Sequence, residues 1–178
     1  MTATIEHYED RFYDLHTGIV GNHERPHKPA MLLAVMDLIE SGAIEQNLLP
    51  FSTELRERFT HYFETVGSVD DKNTPWNPYF YLRSEPFWSH VPTLGNEAVV
   101  SALSSPPAIR NLPNLIEGAQ LDEDLWCLMS EEQTRTRLRD VLISRYFPQH
   151  GSMLRNIPSG GEVTKEDQTA YESPGRSS

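Results

Sequence analysis

Apolar residues recur at helical spacing through several long stretches of the chain. From Ile5 to His16, Tyr8, Phe12, Tyr13 and Leu15 alternate with acids and predict an amphipathic helix. Between Pro29 and Ser41, Leu32, Leu33, Val35, Met36, Leu38 and Ile39 cover more than half the helix circumference, so this helix is expected in the middle of the fold. Pro29 suits its first turn, where the missing N–H would be unpaired anyway, and Gly42 suits the position just past its end. Ser52 is a good N-cap for a helix running to Val66, with Leu55, Phe59, Tyr62, Phe63 and Val66 on one stripe. Helix pairs of this kind serve helix-turn-helix units and ordinary bundles alike. Asp122 to Met129 and Ser130 to Tyr146 predict two more helices. Ser130 and Gln133 have capping-box spacing, and Leu138, Val141, Leu142 and Tyr146 form the buried stripe.

The intervening segments break the helical period. Gly18 to Pro29 carries a Gly21-Asn22 turn signal. From Pro75 to Trp88 three prolines argue against a helix. The aromatic density, with Val91 at its end, argues for a short strand pair turning near Ser84-Glu85-Pro86. A Pro-interrupted stretch follows from Val91 to Asn114, and from Gly151 onward Gly, Ser, Thr, Glu and Pro dominate. The expected fold is mainly α with a small β-hairpin, a helical bundle around a helix-turn-helix or winged-helix-like unit. Residues 1–150 make up the domain and residues 151–178 a disordered linker or tail.

Composition adjusts this picture in two places. At 178 residues one domain is the default, and although only 38% of residues are apolar, three Trp, seven Tyr and seven Phe supply large packing units. No run approaches the roughly 20 apolar residues of a membrane helix, and the start of the chain lacks the form of a signal peptide, so a soluble cytoplasmic protein is expected. The single Cys127, in an apolar stripe, reads as a core residue, and one cysteine allows neither an intrachain disulfide nor a Cys-ligated zinc. Charge runs against nucleic-acid binding at first sight: 26 acidic against 15 basic residues leave −11, so a DNA site would have to be a local basic patch on an acidic body. The same charge suits a protein-interaction module with an acidic surface.

No nucleotide-loop, dinucleotide, serine-hydrolase or zinc-protease motif occurs, so no catalytic centre, metal or cofactor is expected in this chain. Of the seven histidines only His23 and His27 have a spacing of four, with Pro26 between them. A hydrolase using His27 or His61 lacks any second element. His27 and Lys28 stand at the mouth of the Pro29 helix, whose unpaired N–H groups and dipole favour an anion, and Arg25 would add a further donor. The other reading leaves Arg25 and Lys28 solvated and packs His27 against Trp76 or Trp88. The Pro75 to Trp88 segment also divides: Trp76, Tyr79, Phe80 and Phe87 close the core, or the aromatics and prolines beside Arg83 make a surface both apolar and positive. A sulfur-substituted phosphate wants that combination, because it keeps its charge while one oxygen becomes a larger, poorly hydrated sulfur.

Two runs together, Arg25-Pro26-His27-Lys28-Pro29 with the Leu-rich helix after it and Pro78-Tyr79-Phe80-Tyr81-Leu82-Arg83-Ser84-Glu85-Pro86-Phe87-Trp88, resemble the sulfur-binding domain of phosphorothioate-dependent HNH restriction endonucleases. The resemblance spans roughly Ile5 to Pro148. It implies a reader of modified, most simply phosphorothioated, duplex DNA, in which Arg25, His27, Lys28, Arg83 and Arg110 contact DNA while Asn77, Pro78, Tyr79 and Tyr81 wall the cavity for the modification. It further implies that the full-length protein is an HNH endonuclease, with no nuclease centre in the present residues. Asn77 stands where a Tyr commonly precedes the Pro, and Tyr81 is large where a small residue is usual, so a modified base stays open as the mark. A homodimer also stays open.

Overall fold

The computed structural model describes residues 4–155. Helix α1 (Ile5–Tyr13) starts at Thr4, whose hydroxyl accepts from the His7 N–H, and buries Tyr8 and Phe12. A two-residue hairpin follows, β1 (Ile19–Val20) against β2 (His23–Glu24), turning at Gly21-Asn22 with Gly21 at φ 62°. Helix α2 (His27–Ser41) is the centre of the fold: every residue from Lys28 to Leu38 is buried, and Gly42 ends it at φ 86°. Helix α3 (Thr53–Val66) begins at Ser52, whose Oγ accepts from the Leu55 N–H at 3.1 Å, and buries the stripe expected of it.

The Pro75 to Trp88 segment is not a strand pair. It forms helix α4 (Trp76–Tyr81) and a 3-10 turn, Leu82–Ser84. Pro75 is the N-cap and Pro78 the third helical residue, positions whose N–H groups have no intrahelical partner, so neither proline opposes the helix. A strand begins only at its end, β3 (Trp88–Pro92), and pairs antiparallel with β4 (Ile116–Leu121), Trp88 opposite Leu121 and His90 opposite Ala119. No strand lies between Val66 and Trp88, so the wing of a winged helix is not formed directly after α3. Leu49 bridges the other side of Ala119. Gly118 permits that approach, since a Cβ there would lie 2.7 Å from Leu48 Cδ1.

Between the strands run α5 (Glu97–Ala102) and α6 (Leu112–Leu115). After them come α7 (Glu123–Ser130), α8 (Glu132–Tyr146), and α9 (Gly151–Arg155). The capping box expected at Ser130 is absent. Ser130 ends α7 and its hydroxyl donates to the Trp126 carbonyl, while α8 begins after Glu131. Cys127 is exposed, because Leu125 and Met129 take the buried face of α7 and Cys127 points between them to the outside. Gly151 and Leu154 of α9 are buried, so ordered packing runs five residues into the segment expected to be a tail; residues 156–178 lie outside the described residues.

One polar network fastens the middle of the bundle. Asp37 of α2, 2% exposed, accepts from Arg58 Nε and Tyr62 Oη of α3, each at 2.6 Å, and from Arg139 Nη2 of α8 at 2.8 Å. Buried charges are tolerated when paired and bonded in this way. Tyr146 joins α8 to α1, donating to the Phe12 carbonyl and accepting from the Leu15 N–H.

Candidate nucleic-acid interface

The start of α2 opens on a cleft of about 750 Å³. Its walls come from the segment before the hairpin (His16, Thr17, Gly18), the hairpin's end and α2 (Arg25, His27, Lys28), the loop after α3 (Asp70, Lys72, Thr74) and the α4 region (Asn77, Pro78, Tyr81, Ser84). Lys and Arg outnumber acids on this lining, with Arg25, Lys28 and Lys72 against Asp70, although the whole chain carries −11. With the Asp71 and Glu85 carboxylates paired behind Arg25 and Lys28 the surroundings are close to neutral, a local relief of negative charge on an acidic body that an anion site requires.

Each cation is held differently. Lys28 Nζ donates to Ser84 Oγ and to Glu85 Oε2, both at 3.0 Å, and the Glu85 carboxylate also accepts from the His16 N–H at 2.8 Å. Arg25 Nη1 lies 3.5 Å from Asp71 Oδ1, and its backbone N–H donates to the Gly18 carbonyl, closing the hairpin. Asp71 also accepts from His23 Nε2 at 2.8 Å and from the Ser68 N–H at 2.9 Å. Burial pushes the Asp71 carboxyl up, but these bonds from Ser68 and His23 outweigh it and hold the group below its ordinary value. Lys72 is exposed and forms no ion pair with a described residue.

His27 packs on neither tryptophan. Its ring lies 5.2 Å from Phe63 and 6.3 Å from Phe59, and Nε2 donates to the Lys72 carbonyl at 2.7 Å. Burial lowers its pKa, against the opposing bond to Lys72, so near neutral pH it is an uncharged imidazole. His27 therefore fixes the Lys72 loop beside α2 and adds no charge of its own. Asn77 Nδ2 donates to Thr74 Oγ1 at 3.0 Å, and the buried Pro78 and Tyr81, 42% exposed, add apolar lining to the same cleft.

Six of the nine residues singled out in the sequence thus meet here: Arg25, His27, Lys28, Asn77, Pro78 and Tyr81. Three do not. Tyr79 is fully buried, its hydroxyl donating to the Leu49 carbonyl at 2.6 Å, and burial raises its pKa far above the ordinary range. Arg83 turns away, with its guanidinium 4.6 Å from the Phe80 ring centroid and donating to the Val100 and Leu103 carbonyls. Local geometry fits both, because Pro78 and Tyr81 share one face of α4 at i and i+3, Tyr79 lies on another, and Arg83 belongs to the 3-10 turn that follows. Arg110, exposed in the segment between α5 and α6, does not line the cleft. Lys72, Thr74 and Glu85 were not singled out by sequence reasoning. The one cue was the polar Asp70 to Thr74 loop just before the aromatic segment, since loops so placed carry function disproportionately.

No family model matches the chain, and no curated protein does either. Solved structures do. The sulfur-binding domain of ScoMcrA complexed with phosphorothioated DNA superposes with a TM-score of 0.60 at 22% identity, covering 86% of this chain and 90% of that one. The sulfur-binding domain of SprMcrA, also complexed with phosphorothioated DNA, gives 0.58 at 19% identity over 82% and 86%. A longer ScoMcrA chain with the sulfur-binding and SRA domains matches over 79% of this chain and 42% of its own length. The chain thus has the fold of the sulfur-binding domains of McrA proteins.

Proposed function

We propose that this chain recognises duplex DNA carrying a phosphorothioate in its backbone, and that it is the reader part of an HNH restriction endonuclease working in the cytoplasm. The observation that carries the reading is the mixed lining of one cleft, where Arg25, Lys28 and Lys72 meet Pro78 and Tyr81. The cations suit the charge of the bridging phosphate. The proline and tyrosine rings suit a sulfur atom, which loses little hydration on contact with carbon, whereas an oxygen buried there would lose its water without a replacement bond. The fold shared with domains complexed with phosphorothioated DNA supports the same ligand.

The test is fluorescence anisotropy with two duplexes of one sequence, identical except for a single stereodefined phosphorothioate. Tighter binding of the modified duplex, with an advantage that persists from ~0.1 to ~0.3 M salt, is expected because the sulfur contact is not ionic. Equal binding across that range would remove the reading.

A further inference from the structure

The cations on the α2 side of the cleft are each backed by a carboxylate that solvent does not reach. Lys28 Nζ lies 3.0 Å from Glu85 Oε2 and Arg25 Nη1 lies 3.5 Å from Asp71 Oδ1. The Glu85 side chain is 2% exposed and that of Asp71 0%. Lys28 spends two of its three ammonium donors on Ser84 and Glu85, which leaves one for the cleft. Lys72 alone, of the three Lys and Arg residues on the lining, has no carboxylate partner among the described residues.

Resting on the reading above, we propose that Glu85 and Asp71 are specificity-determining residues that act by charge compensation: they cancel the long-range pull of Lys28 and Arg25 on ordinary phosphate and leave their N–H donors in place at short range. Affinity for unmodified duplex comes mostly from cations that neutralise phosphates and release counterions. A cation paired at 3 Å is a dipole, whose attraction fades faster with distance than that of a free charge. Unmodified phosphates outnumber modified ones by orders of magnitude, so a reader gains by holding its sequence-independent affinity low and letting the uncharged contact with Pro78 and Tyr81 decide. The net charge of −11 acts in the same direction at long range.

A purely structural role predicts the opposite sign. If the carboxylates merely hold Lys28 and Arg25 in place, removing either charge weakens binding to every duplex. Glu85→Gln keeps the shape of the side chain and an acceptor oxygen for Lys28 and the His16 N–H. With unmodified duplex at ~0.1 M salt, we expect this variant to bind about threefold to tenfold tighter than the parent, with a salt slope steeper by about 1 and the gain gone near 0.5 M. Asp71→Asn should move the same way by less, because Arg25 is 39% exposed and already screened. Circular dichroism and urea unfolding establish that each variant is folded, and should Glu85→Gln fail to fold, Asp71→Asn decides on the same criterion. A folded variant that binds unmodified duplex no tighter than the parent overturns the proposal, while the parent's preference for phosphorothioated duplex would leave the reader function standing. A parent with no such preference removes the reader function, and this inference with it.

Discussion

Replacing Lys28 by Met tests whether the floor of the cleft is a coupled ion pair. The substitution keeps most of the aliphatic stem and deletes the ammonium, leaving Glu85, 2% exposed, with the His16 N–H but without its 3.0 Å cation. At an effective dielectric constant of about 20 the lost Coulomb attraction is ~5.5 kcal/mol, and removing one partner of a buried pair typically costs ~3–5 kcal/mol. Taking the second range, the melting temperature should fall by about 6–20 °C, given ~2–4 °C per kcal/mol for domains of this size. Urea unfolding of the parent, Lys28→Met, Glu85→Gln and the double variant forms a cycle in which the double variant should be more stable than Lys28→Met alone, since no unpaired charge then stays buried. A loss below ~1 kcal/mol for Lys28→Met, or no recovery in the double variant, would refute the coupling.

Asp37→Ala should destabilise the protein by ~3–5 kcal/mol in urea unfolding, because it strips buried Arg58 and Tyr62 and half-buried Arg139 of a shared acceptor; a cost under ~1 kcal/mol would mean that the network is incidental. His90 and His27 both have pKa values lowered below 6.5, chiefly by burial, so the unfolded chain binds protons that the folded chain does not. Their contribution is complete above pH 6.5 and is lost as pH falls through the lower folded values. His90→Phe should flatten the decline in urea midpoint between pH 7 and 5, and since Trp88 Nε1 still donates to the Tyr79 carbonyl it should cost little at pH 7. An undiminished decline would exclude His90 as a source. Lys72→Ala should reduce the salt slope of duplex binding by about 1, whereas Arg83→Ala should leave the slope alone and lower stability by about 1–3 kcal/mol through its lost bonds to Val100 and Leu103. The reverse pattern would put the DNA on the other side of α4.

The parts of this fold that the sequence announced are those where one helical face meets the core. Leu55, Phe59, Tyr62, Phe63 and Val66 repeat every three or four residues because α3 lies on α2, and the all-round apolar pattern of α2 reflects neighbours on all sides. The Pro75 to Trp88 segment misled because proline's effect depends on position: at an N-cap and in the first turn it costs nothing, and only the register of α4 reveals that Pro75 and Pro78 occupy those places. Strand β4 gave little signal because it is buried at Ile116, Gly118, Ala119 and Leu121, which is not an alternating pattern.

In the cleft, Arg25, His27 and Lys28 were legible because they cluster at the start of a strong helix, and helix starts attract anions for reasons independent of tertiary structure. Their partners were not. Glu85 lies 57 residues from Lys28, and Asp71 lies 46 residues from Arg25. Arg83 shows the converse, since a cation near an aromatic run reads as a ligand donor until the carbonyls of Val100 and Leu103 are brought to it by the fold.

The most direct measurement is a competition between one phosphorothioated duplex and its unmodified twin for the parent protein and for Tyr81→Ala, at ~0.15 M salt. The mixed lining of the cleft predicts that the parent prefers the modified duplex and that the preference changes in Tyr81→Ala while binding of the unmodified duplex does not. A parent that binds both duplexes equally, or a Tyr81→Ala variant whose preference is unchanged, would contradict the assignment of sulfur recognition to this cleft.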